Sequence, residues 1–254
     1  MKNKIALVTG ASSGIGWACA LTVAKMGYDL IATGRRAERL EELRQELPEG
    51  VRFLPLVFDV RDRAEVERLV TNLPSEWAAI DVLINNAGNA HGLDPIQTGS
   101  VSDWDAMLDI NVKGLLYVSK AIIPGMTLRN SGHIINIGSI AGKEVYPNGN
   151  VYCASKHAVD ALTNGMRMDL NPFGIKVMGI HPGLVETEFS LVRFKGDSQR
   201  AGTVYKGYAP LVAQDIADIV EFALTRPPHV VLADVVVLPT AQASATVINK
   251  KLAQ

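Results

Sequence analysis

The stretch "NVYCASKHAV", residues 150–159, sets a phenol, Tyr152, four residues ahead of an ammonium, Lys156. Ala158, Val159, Ala161 and Leu162 follow at helical spacing. Positions i and i+4 of a helix share a face, with Cβ atoms about 6 Å apart. Two roles fit such a pair. One is a surface contact. The other is proton transfer, because a tyrosine with a reference pKa of about 10 becomes a usable acid or base when a nearby cation stabilises its phenolate.

A second chemical signal lies near the start. "VTGASSGIG" places Gly10, Gly14 and Gly16 between an apolar β-branched run and a helical run that ends at Gly27. The spacing is GxxxGxG rather than GxGxxG, but the physical requirement is the same. A tight turn needs an unhindered residue, and backbone must approach a pyrophosphate without an intervening Cβ. The helix N-terminus then offers free N–H groups and a positive dipole end. Ser12, Ser13 and Ile15 complete that loop as candidate cofactor contacts.

The next strand ends "ATGRRAERL". An NAD-binding unit needs a carboxylate there for the ribose 2′-hydroxyl. This chain has Gly34, Arg35 and Arg36 instead. An arginine fork suits a 2′-phosphate, each charge-assisted bond contributing roughly 1.5–3 kcal/mol. The expected cofactor is therefore NADP(H), with Arg35 the stronger candidate of the two. In a competing reading these arginines pair with Glu38, Glu41 or Glu42 on a solvated helix. That reading sets basic charge against the helix dipole.

Elements of the right kind surround these residues. "KIALVTG", "YDLIATG", "VRFLPLVFDV", "IDVLINNAG", "GHIINIGS", "IKVMGIHPG" and "DVVVLP" read as strands, with amphipathic helical stretches between them. Such alternation predicts right-handed βαβ units. The expected fold is α/β: a single doubly wound Rossmann domain over residues 1–254, with a parallel sheet of about seven strands and helices on both faces. Pro55 implies an edge strand. The long helical pattern from Val101 to Asn130 should kink or break at Pro124. Residues 183–210 are charged and weakly periodic, as an active-site lid would be. The tail, 239–254, is too polar for a core helix and is expected to be disordered in a monomer.

Composition excludes several classes. Of 254 residues, 48% are hydrophobic and the net charge is −1, so neither general nucleic-acid binding nor attachment to an anionic membrane is expected. Cys19 and Cys153 form no disulfide framework. No targeting segment or bilayer-spanning run is visible, so the expected location is cytoplasmic. The five histidines match no ligand pattern and no metal is expected; His181, beside Pro182, reads as a strand-end residue.

Three further stretches stand in order between these signals: "NNAG" at 85–88, "NVKG" at 111–114 and "IGSIAG" at 137–142. With TGxxxGxG and YxxxK they resemble the short-chain dehydrogenase/reductase family, over almost the whole chain. The resemblance implies a catalytic tetrad of Asn111, Ser139, Tyr152 and Lys156. It places Asn85, Ala87 and Gly88 along the cofactor, Asp59 and Val60 at the adenine, and "PGLVET" (with Pro182, Gly183, Val185 and Thr187) at the nicotinamide. Lys156 would supply the cation and bond the nicotinamide ribose, and Asn111 would hold a water linking Lys156 to solvent. Tyr152 would act as general acid in reduction, with Ser139 polarising the carbonyl. The family is commonly tetrameric, which makes a homotetramer the expected assembly.

"ATGRRAERL", "NVYCASK" and "ETEFSLVRFKGD" are further similar to the bacterial NADP-dependent 3-hydroxy acid and serine dehydrogenases and the sulfoacetaldehyde reductases. That branch implies a small anionic substrate: malonic semialdehyde, serine or sulfoacetaldehyde in type. A basic lid residue should meet the anion, with Arg193 the first candidate and Lys195 the second. Tyr146 and Asn148 are further candidates for the pocket. The chain reads "GLVETEF" where the related enzymes read "GLVGGTEF". The alternatives are a broad-specificity carbonyl, sugar or steroid reductase of the same family and a non-catalytic NADP(H) sensor.

Overall fold

The computed structural model describes residues 3–250. In chain order the elements are β1 (Ile5–Val8), α1 (Gly14–Lys25), β2 (Asp29–Gly34), α2 (Ala37–Gln45), β3 (Phe53–Val57), α3 (Arg63–Thr71) and β4 (Ile80–Asn85). They continue as α4 (Val101–Leu108), α5 (Leu115–Arg129), β5 (His133–Ile137), α6 (Asn150–Leu170) and β6 (Lys176–Pro182). The last are α7 (Phe189–Arg193), α8 (Ser198–Thr203), α9 (Ala213–Leu224) and β7 (Asp234–Val237). The seven strands form one sheet in the order β3-β2-β1-β4-β5-β6-β7, and all pairs are parallel.

Both faces of the sheet are covered, which explains why its strands read as continuous apolar runs. Side chains alternate along each strand. Ala6 and Val8 join one core layer with Cys19, Val23, Ile216 and Val220 of α1 and α9. Ile5 and Leu7 join the other with Val66, Val118, Ile122 and Met126 of α3 and α5. The expected doubly wound α/β fold is the one observed. β3 is an edge strand, which tolerates the missing N–H of Pro55. Among the described residues no helix is long and apolar enough to cross a membrane.

Two expectations need correction. The long helical pattern breaks ahead of Pro124, which lies within α5. The break is a π-helical turn over Asp109–Gly114. Gly114 lies there because a Cβ would come within 2.7 Å of Val60 Cγ2. The tail is also ordered through residue 250. Gln242 is buried, and its Oε1 accepts from the Leu184 N–H at 2.9 Å. An antiparallel bridge joins Gln242 to Ile248. Polarity kept this segment out of a core helix without preventing it from docking through hydrogen bonds. Residues 251–254 lie outside the described range.

A polar network crosses the middle of the sheet. Asn85 and Asn136 are in register on β4 and β5, and Asn85 Nδ2 donates to Asn136 Oδ1 and to Ser119 Oγ, both at 2.9 Å. Asn136 Nδ2 donates to Thr163 Oγ1 at 2.9 Å. All four residues are buried. Asn136→Ala removes the central partner, and urea unfolding should show a loss of about 1–3 kcal/mol. An unchanged midpoint would show that the network contributes nothing.

Candidate active site

The sheet reverses its strand order between β1 and β4, where open α/β folds bind ligands beyond the strand C-termini. A cavity of about 580 Å³ opens there. Gly10, Ser12, Ser13, Gly14 and Ile15 line one wall. Gly10 and Gly14 have φ of +65° and +54°, which favour glycine, and a Cβ on Gly10 would meet the Ala87 backbone at 3.0 Å. Gly16 serves the turn from behind, since its Cβ would come within 2.3 Å of Gly10 O. The loop delivers the N-terminus of α1 to the cavity with no acidic side chain in its first turn. The donor set fits a pyrophosphate.

Arg35, Arg36, Asp59 and Val60 line the adjoining wall. Neither arginine pairs with Glu38, Glu41 or Glu42. Arg35 lies 3.9 Å from Asp59, whose carboxyl is held below the usual range chiefly by its hydrogen bond to Arg61. Arg36 donates to Ser12 O at 3.2 Å and to Glu188 Oε2 at 3.0 Å, joining the glycine loop to the segment just before α7. Ala87, Gly88, Pro182, Gly183, Val185 and Thr187 also line the cavity. Asn85 does not; its side chain belongs to the network inside the sheet. Its neighbour Asn86 lines the cavity and donates to Thr9 O and Gly10 O, at 2.9 and 3.2 Å. Sequence reasoning passed over Asn86, although "NNAG" contained it.

Ser139, Tyr152 and Lys156 also line the cavity. Ser139 caps a 3-10 turn over Ile140–Gly142, its Oγ accepting from the Ala141 N–H at 3.1 Å. Its hydroxyl stands near enough to the Tyr152 phenol to oppose the rise in that phenol's pKa. Tyr152 and Lys156 lie on the buried face of α6. Lys156 Nζ donates to Ile137 O at 3.0 Å. Asn111, in the π turn, grips the backbone of Asn89: its Nδ2 donates to Asn89 O at 2.8 Å and its Oδ1 accepts from Asn89 N at 2.8 Å. Nδ2 also donates to Ser155 Oγ at 3.0 Å, so Asn111 ties the π turn to α6 and to the segment after β4.

The electrostatics differ from the simplest expectation. Burial pushes the Tyr152 phenol above its ordinary value, the neighbouring Tyr146 adds to the rise, and Ser139 and Arg193 oppose it. The phenol is thus not made acidic within the chain alone. Burial lowers the Lys156 ammonium to about 8.

Arg193 reaches toward two tyrosine rings from α7. Its guanidinium carbon lies 5.5 Å from the Tyr152 ring centroid and 5.6 Å from that of Tyr146. Its Nη2 donates to the Tyr146 hydroxyl at 3.1 Å, and its Nε donates to Gly92 O at 3.1 Å. Lys195 is not part of this group: its exposed Nζ pairs with Asp103 at 2.9 Å. Asn148, at φ +65°, shapes the loop before α6 and lines a water-sized recess rather than the main cavity. The lid adds Phe189, whose ring centroid lies 5.7 Å from that of Tyr152. Ala245, Ile248 and Lys250 of the tail also line the cavity. No periodicity in the sequence marked these contacts, because they depend on long-range docking.

Fold and site together define the class as a Rossmann-type oxidoreductase. The family model described as short chain dehydrogenase matches residues 4–196, and the chain belongs to the short-chain dehydrogenase family. The NADP-dependent 3-hydroxy acid dehydrogenase YdfG of Salmonella typhi is 48% identical over 242 residues, covering 95% of this chain and 97% of the relative. The NADP-dependent 3-hydroxy acid dehydrogenase of Schizosaccharomyces pombe is 43% identical and covers 100% of this chain and 99% of its own. Among solved structures, the closed form of serine dehydrogenase complexed with NADP+ superposes with a TM-score of 0.92 at 44% identity. It covers 96% of this chain and 98% of that one.

Gln242→Ala removes the acceptor of the Leu184 N–H. Limited proteolysis should then cut within residues 239–250 faster than in the wild type. Equal resistance would mean that other contacts hold the tail.

Proposed function

We propose that the protein is an NADP(H)-dependent oxidoreductase that interconverts a small acidic aldehyde or ketone and its hydroxy acid, of the malonic semialdehyde, serine or sulfoacetaldehyde type. The observation that carries this reading is Arg193, a guanidinium set against the rings of both Tyr146 and Tyr152. An anion bonded to that fork has its reactive carbon within reach of the phenol. Arginine presents planar donors that match carboxylate or sulfonate oxygens. The NADP-dependent relatives and the NADP+ complex support the cofactor, as do Arg35 and Arg36 in place of a ribose-binding carboxylate.

When bound, the nicotinamide supplies or takes up the hydride. The chain's own residues manage the proton and the charge. In reduction, Tyr152 Oη holds the proton that passes to the substrate oxygen, and its raised pKa keeps that proton in place at neutral pH. The Ser139 hydroxyl, fixed at the start of its turn, bonds the same oxygen. Lys156 provides a buried positive charge that favours the phenolate once the proton has left. Asn111 and the buried Ser155 position the lysine helix, and Asn111 provides a place for a water that reconnects Lys156 to solvent.

The reading is tested by following NADPH absorbance with malonic semialdehyde, sulfoacetaldehyde, serine, 3-hydroxyisobutyrate and butyraldehyde. Tyr152→Phe should lower turnover by at least about 100-fold. Full turnover in that variant, or no turnover of any panel member by the wild type, overturns the assignment.

Arg193→Ala should raise KM for the anionic substrates roughly 10–100-fold, the equivalent of losing a charge-assisted bond, with little change for butyraldehyde. An equal effect on the neutral aldehyde would favour a broad carbonyl reductase.

The pH profile of kcat/KM for reduction reports the free enzyme's groups. Lys156 is depressed to about 8, so its ammonium is present below that pH and lost above it. Tyr152, raised, keeps its proton through the same window. Reduction should therefore decline as pH rises through about 8. A flat alkaline limb would remove Lys156 from the chemistry.

A further inference from the structure

Four titratable side chains from four segments meet at one point outside the cavity lining. Lys143 Nζ donates to Asp160 Oδ1 at 2.7 Å and to Asp234 Oδ2 at 2.5 Å. His181 Nε2 lies 3.0 Å from Asp234 Oδ1 and 3.7 Å from Asp160 Oδ1, with only 1% of its side chain exposed. Asp160, His181 and Asp234 stand close enough together to ligate a metal ion. The Lys143 ammonium already bridges both carboxylates, however, and supplies the positive charge such an ion would bring. A metal would have to expel it.

The attachments of the four residues give the cluster its meaning. Lys143 closes the turn that Ser139 opens: Gly142 N donates to Ser139 O at 2.8 Å and Lys143 N to Ile140 O at 2.9 Å. Asp160 stands one helical turn beyond Lys156 and two beyond Tyr152, on the same side of α6. His181 directly precedes Pro182 and Gly183, which line the cavity. Asp234 opens β7, where it pairs with Gly179 of β6. The imidazole lies against Gly138, the residue before Ser139, where a Cβ would come within 2.5 Å of Nδ1. The Ser139 turn also presses directly on α6, since a Cβ on Gly142 would come within 2.6 Å of Lys156 O.

We propose that the Lys143–Asp160–His181–Asp234 cluster is a positioning clamp that sets the Ser139 turn against the Tyr152–Lys156 face of α6, with Lys143 as the coupling residue. The proposal rests on the reading of Ser139 and Tyr152 as the reacting pair. None of the four residues lines the cavity, so they act through the backbone that carries Ser139. A charged clamp is directional where an apolar contact is not. Two carboxylates held by one ammonium define its position from two sides. Without the ammonium, two like charges face each other and push α6 away from β7. Asp234 is 42% exposed, so solvent weakens its arm; the less exposed Lys143–Asp160 arm contributes more.

The test compares Lys143→Met with Lys143→Arg, using the panel substrate that the wild type turns over fastest. If the clamp positions Ser139, Lys143→Met lowers kcat by about 10–100-fold, the scale of a catalytic group displaced by an ångström. KM for the carbonyl and the affinity for NADPH, read by fluorescence titration, stay close to wild type. Lys143→Arg recovers most of the loss. Should Lys143→Met fail to fold, Asp234→Asn on the edge strand provides the same comparison, with a smaller fall in kcat. The proposal is overturned if kcat is unchanged in these variants, if NADPH affinity falls in parallel with kcat, or if arginine does no better than methionine. Tyr152→Phe is the control that separates the two readings. If that variant stays active, the assignment of the reacting pair has failed, whereas an inactive Tyr152→Phe beside an unaffected Lys143→Met sinks the clamp alone.

Discussion

The site depends on one close approach between a helix and a strand end. Lys156 Nζ donates to the carbonyl of Ile137, the last residue of β5, so α6 is fastened where that strand leaves the sheet. Two residues on, the chain turns through Ser139, and a glycine at 142 lets the turn rest on the backbone of Lys156. Burying an ammonium costs free energy, and the 3.0 Å bond to a strand-end carbonyl offsets part of it. The same burial lowers the pKa of the lysine and raises that of the tyrosine. A single packing decision therefore fixes both the position of the phenol and how firmly it holds its proton.

Other elements arrange themselves around that approach. The π turn inserts Asn111 where an uninterrupted helix would turn it elsewhere, and its amide holds the segment after β4 by a pair of backbone bonds. Gly88 permits this, since a Cβ there would come within 2.9 Å of Asn111 Oδ1. α7 brings an arginine to the same tyrosine, and the docked tail adds Gln242 to the cavity lining. π turns are often found at functional positions, where the extra residue redirects a side chain.

The parts of this arrangement that obey local rules were legible in the sequence. Gly10 and Gly14 announce left-handed backbone, and the alternating strand and helix patterns announce a parallel sheet covered on both faces. The placement of Pro55 followed from its missing donor. The parts that depend on distant contacts were not legible. Pro124 looked like the helix breaker, yet close packing of Gly114 on Val60 coincides with the irregular turn instead. Lys195 and Arg193 are both cationic and two residues apart, but only one faces the tyrosines; the other turns outward to Asp103. Asn85 and Asn86 are identical in type and adjacent, and strand alternation sends one into the sheet network and the other to the cavity. Composition cannot separate such pairs, since the side a residue faces is decided by register.

On the proposed function, the placement of Arg193 also constrains how specificity would arise. Its Nε is held by Gly92 O and its Nη2 by the Tyr146 hydroxyl, so the guanidinium plane is fixed before any anion arrives. A fixed fork loses little conformational freedom on binding, whereas a flexible lysine would lose more. The same charge lies against the Tyr152 ring and opposes the rise in its pKa. An anion that neutralises Arg193 removes part of that opposition and makes the phenol hold its proton more firmly. On the proposed function, substrate charge and proton donation would thus be coupled through one side chain, the acidic group of the substrate helping to set the protonation state in which Tyr152 meets the carbonyl.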